Sequence, residues 1–302
     1  MLSEHRFTAP DGENHRVLLA LPGSDKKPHA VVVAVHGFND HAGAFADVAT
    51  FLGNNAVAVY AYDQRGFGDS RVRGFWPGVS ALTDDLKWIT GEVRKKHPGT
   101  PLYLLGESMG GAVVMAALAS PAPPYVDGVI LSAPALWGRD TMPFYQRWAL
   151  EAATHTVPWL ELTGKELGIQ ASDNIEMLKR LARDPRFIHQ TRVDAMAGLA
   201  DLMDVAEESV GGLGGPALIL YGEKDEVIPK EPVLQALRRL PPNRAPEARI
   251  ALYKNGWHML MRDLQANTVW ADILAWIEGP AKPLPSGADK QGAAWLAGTH
   301  RF

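Results

Sequence analysis

The sequence predicts an α/β fold, with a mostly parallel, doubly wound sheet of about eight strands, helices on both faces and an inserted helical cap. Apolar runs of strand length recur along the chain without polar alternation, a pattern typical of strands buried on both faces of a sheet. They alternate with segments of helical apolar period, which indicates right-handed crossover helices between parallel strands. Between residues 135 and 210 the strand pattern stops, and helical segments rich in large apolar residues replace it.

Each predicted element follows from a local pattern of residues. Ala30–Val35 is an uninterrupted apolar and largely β-branched run, the pattern of a central strand. Residues 80–97 place Leu82, Leu86 and Ile89 on one helical face, and Pro98 ends that helix. Strands are predicted at residues 3–8, 16–21, 30–35, 56–60, 102–105, 126–132, 217–221 and 248–253. Helices are predicted at residues 43–52, 80–97, 110–119, 231–240 and 267–278.

The predicted organisation is one core domain that carries an insertion. The core comprises residues 1–134 and 211–278, and the inserted cap comprises residues 135–210. The Gly-rich run 211–216 opens no helix, so it is interpreted as the return from the cap rather than as a phosphate-binding loop. The tail, residues 279–302, is rich in Pro, Gly and Ala and is expected to be irregular, with Trp295 and Leu296 able to dock on the core.

Composition excludes several classes of protein. The 302 residues carry a net charge of −4 without a long basic run, which argues against nucleic-acid binding. The absence of cysteine excludes disulfides, thiolate metal sites and a cysteine nucleophile. The first residues lack the apolar core of a signal peptide, and no apolar run approaches the roughly eighteen residues that span a bilayer. A cytoplasmic protein with no transmembrane segment is therefore expected, and no metal site or cofactor is predicted.

The most informative stretch is Gly106-Glu107-Ser108-Met109-Gly110, which lies between a predicted strand and a predicted helix. This order is the context of a nucleophile elbow, a strained turn that presents a serine at the carboxyl edge of a sheet. Ser108 is therefore the candidate nucleophile. The alternative is an ordinary strand-to-helix turn with a surface serine.

A serine nucleophile needs a histidine base, which is in turn held by a carboxylate. His258 follows the last predicted strand directly, whereas most of the other histidines lie away from strand ends. The alternative for His258 is a loop histidine packed against Trp257. His36 also follows a strand, but it precedes a glycine, where we expect it to shape the turn by hydrogen bonding.

Asp225 is the candidate acid, since it follows the penultimate strand and the apolar run 227–229 would shield its carboxylate. Glu223 and Glu226 compete for this role but are expected to face solvent. Asp263 is the weakest competitor, because it follows the histidine and leads into the next helix. The chain order serine, aspartate, histidine is the order found in α/β-hydrolase triads.

An oxyanion hole is the remaining requirement of acyl transfer. One expected donor is the backbone N–H of Met109, just past the nucleophile at a helix N-terminus. The other expected donor is the backbone N–H of Phe38, in the loop after the first buried strand.

Taken together, these motifs resemble the α/β-hydrolase family, in particular its monoacylglycerol lipase and lysophospholipase-like branch. The resemblance spans residues 3–278, and it is carried by the runs 36–38, 62–70, 106–111, 222–229 and 256–258. It implies an α/β-hydrolase fold and a cofactor-independent serine hydrolase that acts on esters beneath a helical cap. Ala44 departs from the pattern, because monoglyceride lipases of this branch commonly carry a polar group there.

The predicted partner is a small-molecule ester, and a lipid-like acyl group is compatible with the aromatic residues of the cap. Individually, Trp137, Phe144 and Trp148 are interpreted as packing the cap onto the sheet, although together they could line an acyl pocket. Transient contact of the cap with a membrane surface is also compatible with this composition. The oligomeric state has no signature in the sequence.

Other functions remain open at this point. A peptidase of the same fold would need acids in the cap to bind a free amino terminus, and Glu151, Glu161 and Glu166 are candidates. Dehalogenases and epoxide hydrolases of this fold use an aspartate nucleophile, so Ser108 argues against them. A ligand receptor that kept the fold without turnover is the alternative from a different class.

Overall fold

An eight-stranded sheet forms the centre of the protein in the computed structural model, which describes residues 2–23, 27–164, 168–213, 215–240 and 248–299. Its strand order is β1-β2-β4-β3-β5-β6-β9-β10. The described strands are β1 Leu2–Thr8, β2 Asn14–Ala20, β3 Ala30–Val35, β4 Val57–Tyr62, β5 Leu102–Glu107, β6 Gly128–Ser132, β7 Glu161–Leu162, β8 Thr191–Arg192, β9 Ala217–Gly222 and β10 Ala248–Tyr253. β2 is antiparallel to β1 and β4, and every other pairing in this sheet is parallel. The predicted sheet is confirmed.

Helices cover both faces of this sheet. The described helices are α1 Ala46–Asn54, α2 Val79–Lys96, α3 Met109–Ala119, α4 Phe144–Thr156, α5 Ile175–Leu181, α6 Val193–Ser209, α7 Lys230–Leu237, α8 Ala266–Glu278 and α9 Ala288–Leu296, and a short 3₁₀ helix at Ala42–Phe45 precedes α1. On one face, α1 and α8 pack against alternate strand residues such as Val32 and Val59. On the other face, α2 and α3 pack against Val33 and Leu104. Because side chains alternate between the two faces along each strand, the same strands contribute residues to the hydrophobic core on each face of the sheet.

Parallel strands set the position of the functional loops. β3, β5, β6, β9 and β10 run in the same direction, so their carboxyl ends meet at one edge of the sheet. Ligands of open α/β sheets bind at this edge. The predicted bounds of β3 and β10 agree with the structure, whereas β4 and β5 each extend two residues further than predicted, to Tyr62 and Glu107. Both extensions carry buried residues toward the loops at this edge.

The segment between β6 and β9, which the sequence predicts to be the cap, contains α4, α5 and α6 together with the small antiparallel pair β7–β8. α6 belongs to the core layer through Leu202 and Met203, and Trp137 also packs against that layer. α4 differs, because it has no buried residue. Phe144 and Trp148 on α4 are 72% and 70% exposed, so the prediction that they pack the cap onto the sheet is wrong, while it holds for Trp137.

The tail contains a helix, so the prediction of an irregular tail is wrong, while the docking of Trp295 is confirmed. α9 packs along the edge strand β10, and Trp295 stacks on Tyr221 with the rings 5.2 Å apart and 13° from parallel. A Cβ on Gly292 would lie 2.1 Å from the carbonyl oxygen of Ile250, so only glycine permits this approach. The contact face consists of Ala288, Gly292 and Trp295, and two small residues give too weak an apolar period to predict a helix. No described helix combines the length and the apolar character needed to cross a membrane.

Candidate active site

Ser108 lies in a strained turn between β5 and α3. Its backbone has φ +53° and ψ −118°, a region that residues with a side chain seldom adopt and that is a feature of functional sites. Gly110 makes the turn possible, because a Cβ there would lie 2.0 Å from the carbonyl oxygen of Val35. The serine is thus held at the carboxyl end of a central strand, at the N-terminus of a buried helix.

The loop after β3 runs directly beside this turn. A Cβ built on Gly37 would lie 3.4 Å from Cβ of Ser108, and the Ser108 N–H donates to the Ser132 carbonyl oxygen at 2.9 Å. Ser108 is half-buried, and within the described ranges its Oγ makes no hydrogen bond. Catalytic hydrogen bonds are often long or absent before substrate binds, so this hydroxyl is available to a ligand.

His258 and Asp225 form a buried hydrogen-bonded pair. His258 Nδ1 donates to Asp225 Oδ2 at 2.8 Å, and both residues are buried. The second carboxylate oxygen, Oδ1, accepts the N–H groups of Val227 and Ile228 at 2.8 and 3.0 Å. The loops after β9 and β10 meet here because these strands are neighbours in the sheet. This bond fixes the proton of the imidazole on Nδ1 and leaves Nε2 unprotonated in the neutral form.

Two opposing effects set the pKa of His258. Burial lowers it, but the charge of Asp225 and its hydrogen bond, together with the charge of Glu107, outweigh burial and raise the pKa above its usual value of 6.5. Arg262 opposes this increase. The imidazole is therefore stabilised in its charged form beside a carboxylate.

The two amides predicted as oxyanion donors lie on adjoining segments. Phe38 is in the loop after β3, and Met109 is the first residue of α3. In the described part of the chain neither N–H donates a hydrogen bond. His36 holds the first segment, since its Nδ1 donates to the Gly37 carbonyl oxygen at 2.8 Å and its Nε2 accepts from the Gln64 N–H at 3.0 Å. The predicted role of His36 in shaping this turn is confirmed.

Sequence reasoning missed a buried ionic cluster beside these residues. Arg262 binds Asp40 at 2.8 Å and Glu107 at 2.9 Å, and all three side chains are at least 90% buried. Burial raises the pKa of Glu107, and the charge of Arg262 opposes that increase. No local sequence pattern indicates this cluster, because its members are separated by up to 222 positions along the chain.

The segment predicted to form the cap contacts the loops after β3 and β10, which carry Phe38 and His258. In the β3 loop, the Asn39 carbonyl oxygen accepts from the Ile188 N–H at 2.9 Å, and Asn39 Nδ2 donates to Thr191 Oγ1 at 2.7 Å. In the β10 loop, Asp263 accepts from the Ser172 hydroxyl at 2.6 Å and from the Trp257 N–H at 2.8 Å. This segment therefore holds both loops through hydrogen bonds.

Asp225, and none of the competing acids, accepts the hydrogen bond from His258 Nδ1. Glu226 is exposed and accepts the Gln170 N–H, while Glu223 is half-buried rather than facing solvent. Glu151 and Glu161 are exposed on the cap, and Glu166 lies outside the described residues. Burial raises the pKa of Asp263 to about 6, against the hydrogen bonds from Ser172 and Trp257 that lower it.

The strand order, the inserted helical segment and the serine turn together define an α/β-hydrolase. More particularly, the chain belongs to the family described as serine aminopeptidase, S33, whose model matches residues 26–265. This assignment confirms the resemblance to α/β-hydrolases that the motifs indicated.

Among curated relatives, the chain is similar to a monoacylglycerol lipase of Mycolicibacterium smegmatis, with 28% identity over 291 residues that cover 91% of this chain and 96% of the relative. It is similar in fold to the crystal structure of a Paleococcus ferrophilus monoacylglycerol lipase, with a TM-score of 0.70, 22% identity, and coverage of 92% of this chain and 98% of the other. A thermostable carboxyl esterase from Bacillus coagulans gives a TM-score of 0.75 at 19% identity, with coverage of 93% and 99%. These comparisons support the monoacylglycerol lipase-like branch and assign the chain to the ester hydrolases.

Proposed function

We propose that the protein is a serine hydrolase that cleaves small carboxylic esters with hydrophobic or lipid-like acyl groups. Ser108 is the nucleophile, His258 the general base and Asp225 the carboxylate that orients the histidine. The 2.8 Å bond between His258 and Asp225, at the sheet edge that also carries the strained Ser108, supports this assignment most strongly. These are the parts that acyl transfer requires.

The reaction proceeds through an acyl-enzyme. His258 Nε2 removes the proton of Ser108 as Oγ attacks the ester carbonyl carbon, and the imidazolium then donates that proton to the departing alcohol. Water, activated by the same nitrogen, attacks the acyl-serine and releases the acid. Asp225 holds the tautomer with hydrogen on Nδ1 and stabilises the charged ring, so no cofactor or metal ion is needed.

The backbone N–H groups of Phe38 and Met109 stabilise the oxyanion that forms in each step. Both N–H groups are free of other hydrogen bonds in the described chain, as a preformed hole requires. His36 supports the first of them through the Gly37 carbonyl oxygen.

A hydrophobic or lipid-like substrate is supported by the names of the relatives and by the surface of the cap. Residues 135–210 form this cap in the proposal. It exposes large apolar side chains, namely Phe144, Tyr145, Trp148, Trp159, Leu160 and Leu162. Large exposed apolar surface is a feature of membrane and protein contact sites. A transient contact of the cap with a membrane surface is therefore part of the proposal.

The family description names an aminopeptidase, so a peptidase is the second candidate. An exposed ion pair contributes little binding free energy, so a carboxylate withdrawn from bulk solvent is better suited to bind a free amino terminus. Glu151 has a side chain that is 62% exposed and pairs with His155, and Glu161 is also exposed. The exposure of Glu151 and Glu161, the two candidate acids that the structure describes, favours the esterase over the peptidase.

One experiment tests the assignment. Wild-type protein and Ser108→Ala are assayed on a panel of monoacylglycerols, lysophospholipids, p-nitrophenyl esters and aminoacyl amides, and both are treated with a fluorophosphonate probe. We expect the wild type to hydrolyse esters and to label with the probe, and Ser108→Ala to do neither while remaining folded. Ser120→Ala, at the other end of α3, is the matched control and should retain full activity.

Ester turnover by Ser108→Ala within a few-fold of wild type would refute Ser108 as the nucleophile. Preferential hydrolysis of aminoacyl amides would favour the peptidase. Absence of both labelling and turnover in the wild type would favour a receptor.

A further inference from the structure

Arg262 joins the three loops that carry the candidate catalytic groups. Its Nη1 lies 2.8 Å from Asp40 Oδ2, and its Nη2 lies 2.9 Å from Glu107 Oε2. Asp40 follows Phe38 by two residues, and Glu107 directly precedes Ser108. Arg262 itself is in the loop that carries His258, where its N–H donates to the Met259 carbonyl oxygen at 2.7 Å.

The planar guanidinium suits this arrangement. Its two terminal nitrogens donate in fixed directions, so they hold two carboxylates at a fixed separation. Asp40 uses its other oxygen, Oδ1, to accept the N–H of His41, so the ion pair also fixes the backbone just past the proposed oxyanion donor. From the cap, Asn174 Nδ2 donates to the Arg262 carbonyl oxygen at 2.9 Å.

Stability alone is a weak explanation for this cluster. Two carboxylates and one guanidinium are buried together, and the desolvation of such charges offsets most of their attraction. Two of the buried polar atoms, Arg262 Nε and Glu107 Oε1, have no hydrogen-bond partner among the described residues. The arrangement supplies fixed geometry between loops rather than a large net stabilisation.

We propose that Arg262 is a positioning residue for ester hydrolysis, which holds the oxyanion loop through Asp40 and the nucleophile turn through Glu107 in register with His258. This inference rests on the proposed function. Misplacement of reacting groups by about 1 Å can lower the rate about 10²-fold, so loss of this guanidinium should lower kcat more than it changes KM.

The cluster also acts on His258 through its charges. The charged groups that face His258 are Asp225 from the β9 loop, Glu107 from the end of β5 and Arg262 from its own loop. Glu107 favours the imidazolium and Arg262 disfavours it. Removal of the Glu107 charge should therefore move the acidic limb of the pH–rate profile to lower pH. Removal of Arg262 also lets the buried Glu107 take up a proton, so its two effects on His258 offset each other.

The test uses the full chain with a p-nitrophenyl ester and five variants: Arg262→Met, Arg262→Lys, Asp40→Asn, Glu107→Gln and, as the matched control, Arg94→Met. Arg94 pairs with Asp127 near the opposite edge of the sheet. We expect Arg262→Met to lower kcat by about 10²-fold with KM within about threefold, and Asp40→Asn to give a smaller loss in the same direction. Arg262→Lys should recover part of kcat, and Arg94→Met should stay within about twofold of wild type.

The pH profile separates positioning from general stabilisation. The acidic limb should move to lower pH in Glu107→Gln, and this isosteric variant provides the readout even if Arg262→Met fails to fold. Wild-type kcat in a folded Arg262→Met, or an acidic limb that stays in place or moves to higher pH in Glu107→Gln, would overturn the proposal. An inactive wild type that does not label with fluorophosphonate would instead refute the proposed function.

Discussion

Asp225 binds His258 through one carboxylate oxygen while its other oxygen is saturated by two backbone N–H groups. The bond from His258 Nδ1 to Asp225 Oδ2 is 2.8 Å long, and the Oδ1 atom accepts from Val227 and Ile228. The backbone of its own loop therefore orients the Asp225 carboxylate independently of the bond to His258. A rigid acid of this kind can fix both the plane and the tautomer of the imidazole.

The first prediction concerns Asp225→Asn. The amide is similar in size, but it can present an N–H to His258 Nδ1, which would place the imidazole proton on Nε2 and remove the base. We expect kcat/KM on an aryl ester to fall by about 10³–10⁴-fold with little change in fold, measured by steady-state kinetics and circular dichroism. Glu231→Gln, at an exposed site on the next helix, is the control and should match the wild type. A loss of less than about tenfold would contradict the role of Asp225.

The second prediction is the pH dependence of activity. In the proposed mechanism the free enzyme needs neutral His258. Burial lowers the pKa of this residue, but Asp225 outweighs burial and raises the pKa above 6.5. Since the charged form is the inactive one, kcat/KM should fall as the pH decreases, with the midpoint of the acidic limb above 6.5. The measurement is kcat/KM on an aryl ester from pH 5 to pH 9. A midpoint below 6.5 would indicate that burial outweighs the carboxylate.

Much of the fold and of the site could be predicted because the signals are local. Ser108 is the centre of the motif 106–110, whose two glycines are required by the backbone geometry of the turn. His258 and Asp225 directly follow apolar strands. Once parallel strands are inferred, their carboxyl ends must meet, and the loops come together without further information.

The remaining features depend on contacts between distant segments. Arg262 and Glu107 are 155 positions apart, and neither residue belongs to a pattern that a window of sequence can detect. Phe144 and Trp148 are apolar residues at helical spacing, which ordinarily predicts a buried face, but here both side chains are exposed. The pattern predicts the helix correctly but its burial wrongly, because burial depends on which other segments pack against the helix.

The third prediction tests the contact between the cap and the β3 loop. Asn39 has φ +65°, and its side chain donates to Thr191 Oγ1 at 2.7 Å. Thr191→Val removes this acceptor with little change in shape, and Asn39→Gly removes the donor while permitting the positive φ. If this bond positions the loop, each variant should lower kcat/KM about three- to tenfold, and the double variant should be no worse than the poorer single one.

Asn39→Ala provides the control for backbone strain. A side chain without a local hydrogen bond disfavours the left-handed region by roughly 1–2 kcal/mol, so Asn39→Ala should be less stable than Asn39→Gly in thermal unfolding. Additive losses of activity in the Asn39→Gly and Thr191→Val double variant would show that the two side chains act independently.

The fourth prediction compares two helical glycines with opposite surroundings. A Cβ on Gly292 would lie 2.1 Å from the Ile250 carbonyl oxygen, whereas a Cβ on Gly91 in α2 would have no heavy atom within 4 Å. Gly91→Ala should stabilise the protein by about 0.5–1 kcal/mol, because alanine is the better helix former. Gly292→Ala should destabilise it by about 1–3 kcal/mol through overpacking against β10. Thermal and urea unfolding measure both changes, and stabilisation by Gly292→Ala would show that α9 does not pack closely on this strand.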